Sequence, residues 1–352
     1  MRAFVYTALP TRVVFGLDAL NRLPEEVERL GAQRALVLST PEQRASAEDV
    51  ARRLGERAAG VYDKAVMHTP IEAASAARRV AAELKADCCV AIGGGSTTGL
   101  GKAIALTSSL PILAIPTTFA GSEMTPIQGI TEGGVKKTLR DLRMLPKTVI
   151  YDPRLLLTLP ARIAGPSGMN GIAHCVEALY AQEANPVTSL MAEEGIRALA
   201  HSLPLVVRQP QDLEARSEAL YGAWLAGLSL GAVGMALHHK LCHTLGGTFN
   251  LPHAETHTIV LPHAARYNAQ AASEAMARVA RAMGVADAPG GLYDLAKSIG
   301  APLALKDIGM PAEGLDRAAE LAVTNPYWNP RPLERGALRE LLQAAWEGRR
   351  PQ

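Results

Sequence analysis

Cys88-Cys89-Val90-Ala91-Ile92-Gly93-Gly94-Gly95-Ser96-Thr97-Thr98-Gly99 decides the fold class of this chain. An uninterrupted apolar run ends in three glycines and three hydroxyl side chains, and Leu100–Leu106 then reads as a helix. A strand that is apolar without alternation is buried on both faces, the condition of a parallel sheet. Glycines let the backbone approach a ligand, and the free N–H groups of a helix start attract phosphate. The strand–loop–helix setting predicts a pyrophosphate site at Gly93, Gly94, Gly95 and Ser96, although the spacing is not GxGxxG. Taken alone, the glycines are equally consistent with a tight turn.

The segments around this loop alternate in the same way. Arg12–Phe15, Ala35–Ser39, Val61–Val66, Ile112–Ile115 and Thr148–Tyr151 read as strands, and Ala19–Leu30, Ala45–Ala58 and Ile71–Lys85 as helices. Such alternation means a parallel sheet covered on both faces. The strand at Ile112 runs into Pro116-Thr117-Thr118-Phe119-Ala120-Gly121-Ser122-Glu123. Thr117, Thr118 and Ser122 then sit where open α/β sheets bind ligands, beside Thr40 at the end of an earlier strand. Thr131–Arg143 reads as a polar hairpin whose cationic arm holds Lys136, Lys137, Arg140 and Arg143.

After Leu155 the alternation stops and helical periodicity takes over: Gly171–Ala184, Pro186–Leu203, Asp212–Leu230, Leu237–Leu245, Ala271–Met283, Gly290–Ile299, Leu315–Leu321 and Arg335–Glu347. The expected division is an α/β dinucleotide-binding domain over 1–155 and an all-helical substrate domain over 156–352, with a cleft between them for substrate. Length alone favours two domains at 352 residues. Hydrophobic residues at 48% and charged residues at 20% describe a globular chain, and a net charge of +2 speaks against a nucleic-acid surface. No apolar run approaches the ~20 residues of a bilayer span and no cleavable signal opens the chain, so a cytoplasmic protein is expected. Cys88, Cys89, Cys175 and Cys242 lack the paired spacing of a zinc site and read as buried free thiols.

The functional signal is strongest in Gly234–His263, GMALHHKLCHTLGGTFNLPHAETHTIVLPH, which holds six of the nine histidines. His239 and His243 share a helix face, Leu245-Gly246-Gly247 is expected to end that helix, and Leu251-Pro252-His253 brings back another imidazole. One such histidine is more often a hydrogen-bonded core residue, but six together point to a pocket. Asn170 and His174 in Gly168-Met169-Asn170-Gly171-Ile172-Ala173-His174 also lie four apart on one helix face. Either an oxygen and three imidazoles hold a metal there, or the neutral amide holds substrate by hydrogen bonds.

These places, in this order and over essentially the whole chain, resemble the iron-containing (group III) alcohol dehydrogenase family. Its pattern is a GGGS loop, a PTT segment, GMDxxxH and HxxxHxLGG…PHG. The resemblance implies a dehydroquinate synthase-like architecture, a nicotinamide cofactor and a homodimer. It also implies a metal held by an aspartate and three histidines, which fall here on Asn170, His174, His239 and His253, with a further active-site histidine at His243. Asn170 for aspartate, Ala254 for glycine, the extra His238 and the tail Asn325–Pro332 depart from that pattern. These departures resemble the maleylacetate reductase branch, which reduces a carbon–carbon double bond in bacterial aromatic breakdown with NADH or NADPH, and they point away from a bound metal.

That reading assigns His243 as proton donor and His253 as polarising group, with His239, His174 and Asn170 beside them. His238, His257, Tyr327 and Arg331 would contact a dicarboxylate substrate, Arg331 or the Lys136–Arg143 arm pairing with its charges. Cofactor contacts fall to Thr40, Gly93, Gly94, Gly95, Ser96, Thr117, Thr118, Ser122 and Lys137. Thr40 carries no charge, so both dinucleotides are expected to serve. The rivals are a metal-dependent alcohol dehydrogenase acting on a small aldehyde, a lyase of the dehydroquinate synthase kind, and a silent nucleotide-binding sensor.

Overall fold

The computed structural model describes residues 3–67, 69–132, 135–324 and 327–352, with the stretches 130–132 and 135–137 described by backbone alone. Asn325, Pro326 and the side chains of Lys136 and Lys137 therefore lie outside the described residues. The chain forms two compact units, one from Ala8 to Leu159 and one from Pro160 to Gln352 that also takes in the segment up to Thr7.

The first unit runs β1 (Arg12–Phe15), α1 (Leu23–Arg29), β2 (Ala35–Leu38), α2 (Arg44–Leu54), β3 (Ala58–Tyr62), α3 (Ile71–Glu83), β4 (Cys88–Gly93), α4 (Gly95–Ser108), β5 (Ile112–Pro116), β6 (Ile127–Glu132), β7 (Val135–Arg140) and β8 (Thr148–Tyr151). Six strands pair in parallel in the order β1-β8-β5-β4-β2-β3, and β6 and β7 form a separate antiparallel hairpin. On one face Val37, Val90, Ile92 and Leu113 pack on Leu23, Val27 and Val50 of α1 and α2. On the other, Leu36, Leu38, Cys89 and Ala91 pack on Ala77, Leu100 and Ile104 of α3 and α4. Burial from both sides is why these strands carry no polar alternation. The chain steps from β2 outward to β3 and then back across β2 to β4. The carboxyl ends of β2 and β4 thus form the topological switch point where such sheets bind ligands.

The second unit is helical: α5 (Ala161–Tyr180), α6 (Pro186–Arg208), α7 (Leu213–Ala232), α8 (Leu237–Phe249), α9 (His253–Asn268), α10 (Ser273–Met283), α11 (Ala288–Ser298), α12 (Gly314–Val323) and α13 (Arg335–Glu347). Side chains cap three of them: Asn185 accepts from Thr188 N, Asp212 from Glu214 N and Ala215 N, and Asp287 from Gly290 N. Among the described residues no single helix is long and apolar enough to cross a membrane.

Several boundaries differ from the sequence expectation. Helix α4 begins at Gly95, so Gly95–Thr98 is its first turn rather than a preceding loop. Strand β3 occupies Ala58–Tyr62, earlier than Val61–Val66. Helix α5 starts at Ala161 and absorbs Pro166, and α8 runs through Gly246 and Gly247 to Phe249. Two glycines cost a helix about 1 kcal/mol each. Buried Leu237, Leu241 and Leu245 hold α8 together past them, and Asn250 at φ +53° ends it. Helix α9 is not among the helices expected from the sequence, and it contains a proline. Pro252 stands just before its first turn, and Pro262 is accommodated inside it.

Tight helix packing generates a stability test. A Cβ built at Gly168 on α5 would collide with Leu203 of α6, whereas one at Gly247 meets nothing within 4 Å. We expect Gly168→Ala to destabilise by roughly 2 kcal/mol and Gly247→Ala to be neutral or slightly stabilising in urea unfolding monitored by circular dichroism.

Candidate active site

In the α/β unit, the loop after β4 is shaped by what a side chain there would strike. Gly93 holds φ +152°, and a Cβ on it would meet Thr97 Oγ1 and, at 2.8 Å, Gln43 Oε1. A Cβ on Gly94 would lie 3.0 Å from the Thr118 methyl. Gly94 also opens α4 without any side-chain capping bond, leaving its first N–H groups for an anion. Gln43 Nε2 donates to Thr117 Oγ1 at 2.7 Å, which ties the loop after β2 to the end of β5, and Thr117 N donates to Gly93 O at 3.0 Å. The structure thus brings Gly93, Gly94, Thr117 and Thr118 together at the switch point, with Thr40 at the end of β2. A glycine cradle and an uncapped helix start fit a dinucleotide pyrophosphate.

Ser122 has a different neighbour. The fully buried Lys102 on α4 donates from Nζ to Ser122 O (2.6 Å), Ser122 Oγ (3.1 Å), Thr125 Oγ1 (3.0 Å) and Ile127 O (2.8 Å). Burial pulls its pKa down to about 7, opposed by Glu123, whose carboxylate accepts from Tyr151 OH at 2.7 Å. This staple fixes the turn after β5, and sequence reading missed it because a lysine on a helix normally reads as a solvated face.

In the helical unit, α5, α8 and α9 assemble the histidines. The His174 and His239 rings stack with centroids 5.1 Å apart, His239 and His257 stand edge to face at 4.9 Å, and His253 and His257 lie 4.3 Å apart. His243 is 6.2 Å from His239 and 6.5 Å from His253. His238 Nε2 and His257 Nδ1 share a hydrogen bond of 2.9 Å, with Cys242 Sγ 3.7 Å from the same Nε2. Burial first, and then neighbouring imidazoles, holds His174, His238 and His257 well below the ordinary histidine pKa. These three are neutral near pH 7. His243 and His253 are half-buried, the accessible members of the set. Asn170 Oδ1, His174 Nδ1, His239 Nε2 and His257 Nε2 are buried without a protein partner.

Two family models cover the chain in sequence, iron-containing alcohol dehydrogenase over residues 10–153 and the C-terminal part of the Fe-containing alcohol dehydrogenase family over 165–346. The chain belongs to the iron-containing alcohol dehydrogenase family. Within that family it is 63% identical, over 100% of both chains, to a maleylacetate reductase of Burkholderia cepacia. It is 57% identical to one from Sphingobium indicum over 99% of both. The crystal structure of a maleylacetate reductase from Agrobacterium tumefaciens matches with a TM-score of 0.96 and 54% identity across 100% of both chains.

The residues at the family's metal positions do not make its usual site. Asn170 replaces a carboxylate with a neutral amide, so the donor set with His174, His239 and His253 has no anion. Among the described residues, the one set of three His, Cys, Asp or Glu donor atoms within 4.8 Å of one another is His238, Cys242 and His257.

The remaining sequence candidates are placed as follows. The Tyr327 hydroxyl is buried without a partner, its pKa raised by burial and then by Glu177 and Tyr267, and Lys240 Nζ sits 5.5 Å from its ring centroid. Arg331 lies 4.1 Å over the ring of Tyr267 and donates from Nη1 to Tyr267 O at 3.3 Å. Asn329 exchanges two hydrogen bonds with Asn268, at 2.8 and 3.0 Å, clamping the tail to the end of α9. In the arm, Arg143 is paired with Asp141 at 2.6 Å. A residue that sequence reading missed holds the cluster in place: Glu177, fully buried on α5, accepts from His239 Nδ1 at 2.7 Å and from His238 N at 2.7 Å. Its signal was its spacing from Asn170 and His174, seven and three residues away on one helix face.

Buried neutral imidazoles give stability a defined pH dependence. His263 on α9 is lowered to about 4 by burial and by Arg349. Its folded pKa is depressed below the unfolded value near 6.5. The unfolded chain therefore takes up a proton below pH ~6.5 that the folded chain refuses until its own pKa, and stability falls across that window. We expect the loss in unfolding free energy between pH 7.5 and 5.5 to be about 1 kcal/mol smaller in His263→Gln than in the parent. Urea unfolding at the two pH values gives the comparison.

Proposed function

We propose that this protein reduces the carbon–carbon double bond of maleylacetate to give 3-oxoadipate, with NADH or NADPH as reductant. Likeness to maleylacetate reductases over the whole of both chains carries this reading, and the chemistry of the site agrees with it. When bound, the nicotinamide supplies a hydride to the alkene carbon beta to the substrate ketone. The chain must then stabilise the enolate oxygen and deliver a proton to the adjacent carbon. His243 and His253, half-buried and therefore reachable, are the proton donor and the polarising group. His174, His238 and His257, held neutral by burial, keep the site dry and oriented without adding charge. The buried, unpartnered Tyr327 hydroxyl can donate to a substrate oxygen, while the buried Asn170 Oδ1, an acceptor, awaits a donor such as the cofactor amide or a water. With one Nη1 committed to Tyr267 O, Arg331 retains N–H donors for a carboxylate. Gly93, Gly94, Gly95 and Ser96 hold the pyrophosphate at the start of α4, flanked by Thr117 and Thr118. A homodimer paired through the exposed apolar residues Phe4, Val5 and Tyr6 goes with this reading.

Cofactor choice rests on the loop after β2. Thr40 is uncharged, so both dinucleotides serve. The backbone N–H of Glu42, and after it the Thr40 hydroxyl, stabilises the Glu42 carboxylate, lowering its pKa. That negative charge favours a ribose 2′-hydroxyl over a 2′-phosphate. We expect NADH to be preferred by less than ~1000-fold in kcat/KM, and Glu42→Gln to move the ratio towards NADPH by about tenfold. An unchanged ratio in steady-state kinetics removes Glu42 from cofactor selection.

Decisive for the reaction is NADH oxidation at 340 nm with fresh maleylacetate on chelator-treated protein, the product identified by mass. Turnover to 3-oxoadipate is expected, with His243→Ala slowed by 10²-fold or more while NADH still binds. Activity that returns only on adding iron or zinc would put Asn170 among metal ligands, and no turnover under either condition would favour the aldehyde-reducing dehydrogenase.

A further inference from the structure

We propose that Glu177 is a positioning residue that fixes the tautomer of His239, so that His239 Nε2 enters the site as a hydrogen-bond acceptor. The carboxylate is fully buried, and every partner other than the His239 ring is a donor by its chemistry. Oε2 accepts from His239 Nδ1 at 2.7 Å, Ala236 N at 3.0 Å and His239 N at 3.4 Å. Oε1 accepts from His238 N at 2.7 Å and Tyr180 OH at 3.3 Å. A carboxylate surrounded in this way has no proton to give, so the proton of the short bond belongs to His239 Nδ1. In a neutral ring, Nε2 then carries a lone pair. That nitrogen is buried and meets no protein partner.

The ring has no equivalent alternative pose. His174 is stacked on it, and His238 and His257 stand edge-on at 5.2 and 4.9 Å. Turning the ring over would set a C–H against the buried carboxylate and leave its oxygen unsatisfied, at a cost of about 1–3 kcal/mol. Glu177 also does what no side chain of α8 itself does. Ala236 precedes the helix without a capping group, and Glu177 satisfies Ala236 N, His238 N and His239 N from the neighbouring helix. One residue thereby sets both where α8 begins and which nitrogen of His239 is free. Resting on the reductase reading above, this divides the work of the cluster. His239 receives a hydrogen bond from the cofactor amide or a water, while His243 and His253 provide protons.

The test has two parts that fail separately. The full-length protein labelled with ¹⁵N-histidine, its His239 signal identified by loss in His239→Asn, should show a protonated Nδ1 and a pyridine-like Nε2 once the pH is raised until the ring is neutral. A proton on Nε2 overturns the proposal whether or not maleylacetate is turned over. In Glu177→Gln, the amide can donate to Nδ1 and invert the tautomer. We expect kcat to fall 10–100-fold, with KM for NADH within about twofold of the parent. A folded Glu177→Gln protein with kcat within twofold of the parent would reduce Glu177 to a helix cap and overturn the positioning role. Should that variant not fold, the nitrogen assignment in the parent decides alone. Absence of maleylacetate turnover in the parent with Nδ1 protonated refutes the substrate assignment and not the tautomer.

Discussion

The buried carboxylate of Glu177 is the interaction on which the helical half depends. Taking such a group out of water costs several kcal/mol unless donors replace the solvent. Here the replacement comes from the first N–H groups of α8, one imidazole and one phenol. The helix end, deprived of water by the same packing, has orphan donors that need an acceptor. Each burial is tolerable because of the other. The start of α8 is thereby pinned to α5, and helical spacing then determines where His238, His239, Cys242 and His243 fall. A second acid works alongside: Glu183 Oε2 accepts from Gly234 N at 3.1 Å, holding the turn that leads into α8.

Burial then sorts five similar side chains into two kinds. His238 and His257 are fully buried and hydrogen-bonded to each other, and a single proton lies between the two facing nitrogens. His174 is nearly as buried, and all three are held neutral. His243 and His253 keep some solvent access. Nothing in the imidazole itself makes this difference. It comes from α9, which lays His257 against α8 while leaving His253 at its own N-terminal turn.

The sheet was legible in the sequence because a strand covered on both faces leaves an unbroken apolar run, and Cys88–Ile92 is such a run. The glycine loop was legible because only glycine fits where Thr97, Gln43 and Thr118 crowd the backbone. Helix α9 was not, since it holds Pro262 inside it, which local pattern alone disfavours. Glu177 and Lys102 were hidden for a related reason. A charged residue on a helix ordinarily marks the solvent face, and only the fold shows that these two point inward to full sets of partners. Arg331 shows the opposite limit. Its charge was visible, but its platform, Tyr267, lies 64 residues earlier in the chain.

Asn170 gains a physical rationale from Glu177. In the family pattern an acid occupies this position and a metal balances it. Here one buried carboxylate already lies on the same face of α5, seven residues on, and His174 on that face is held neutral by burial. A second carboxylate without a cation would repel the first. The amide keeps the shape of the side chain and removes the charge. Its Oδ1 is buried and unpartnered, a state that costs about 1–3 kcal/mol if nothing ever satisfies it. A core position with no role would sooner be apolar. Two buried acceptors left unsatisfied, Asn170 Oδ1 and His239 Nε2, are what a site looks like when its missing hydrogen bonds are completed by the molecule it binds.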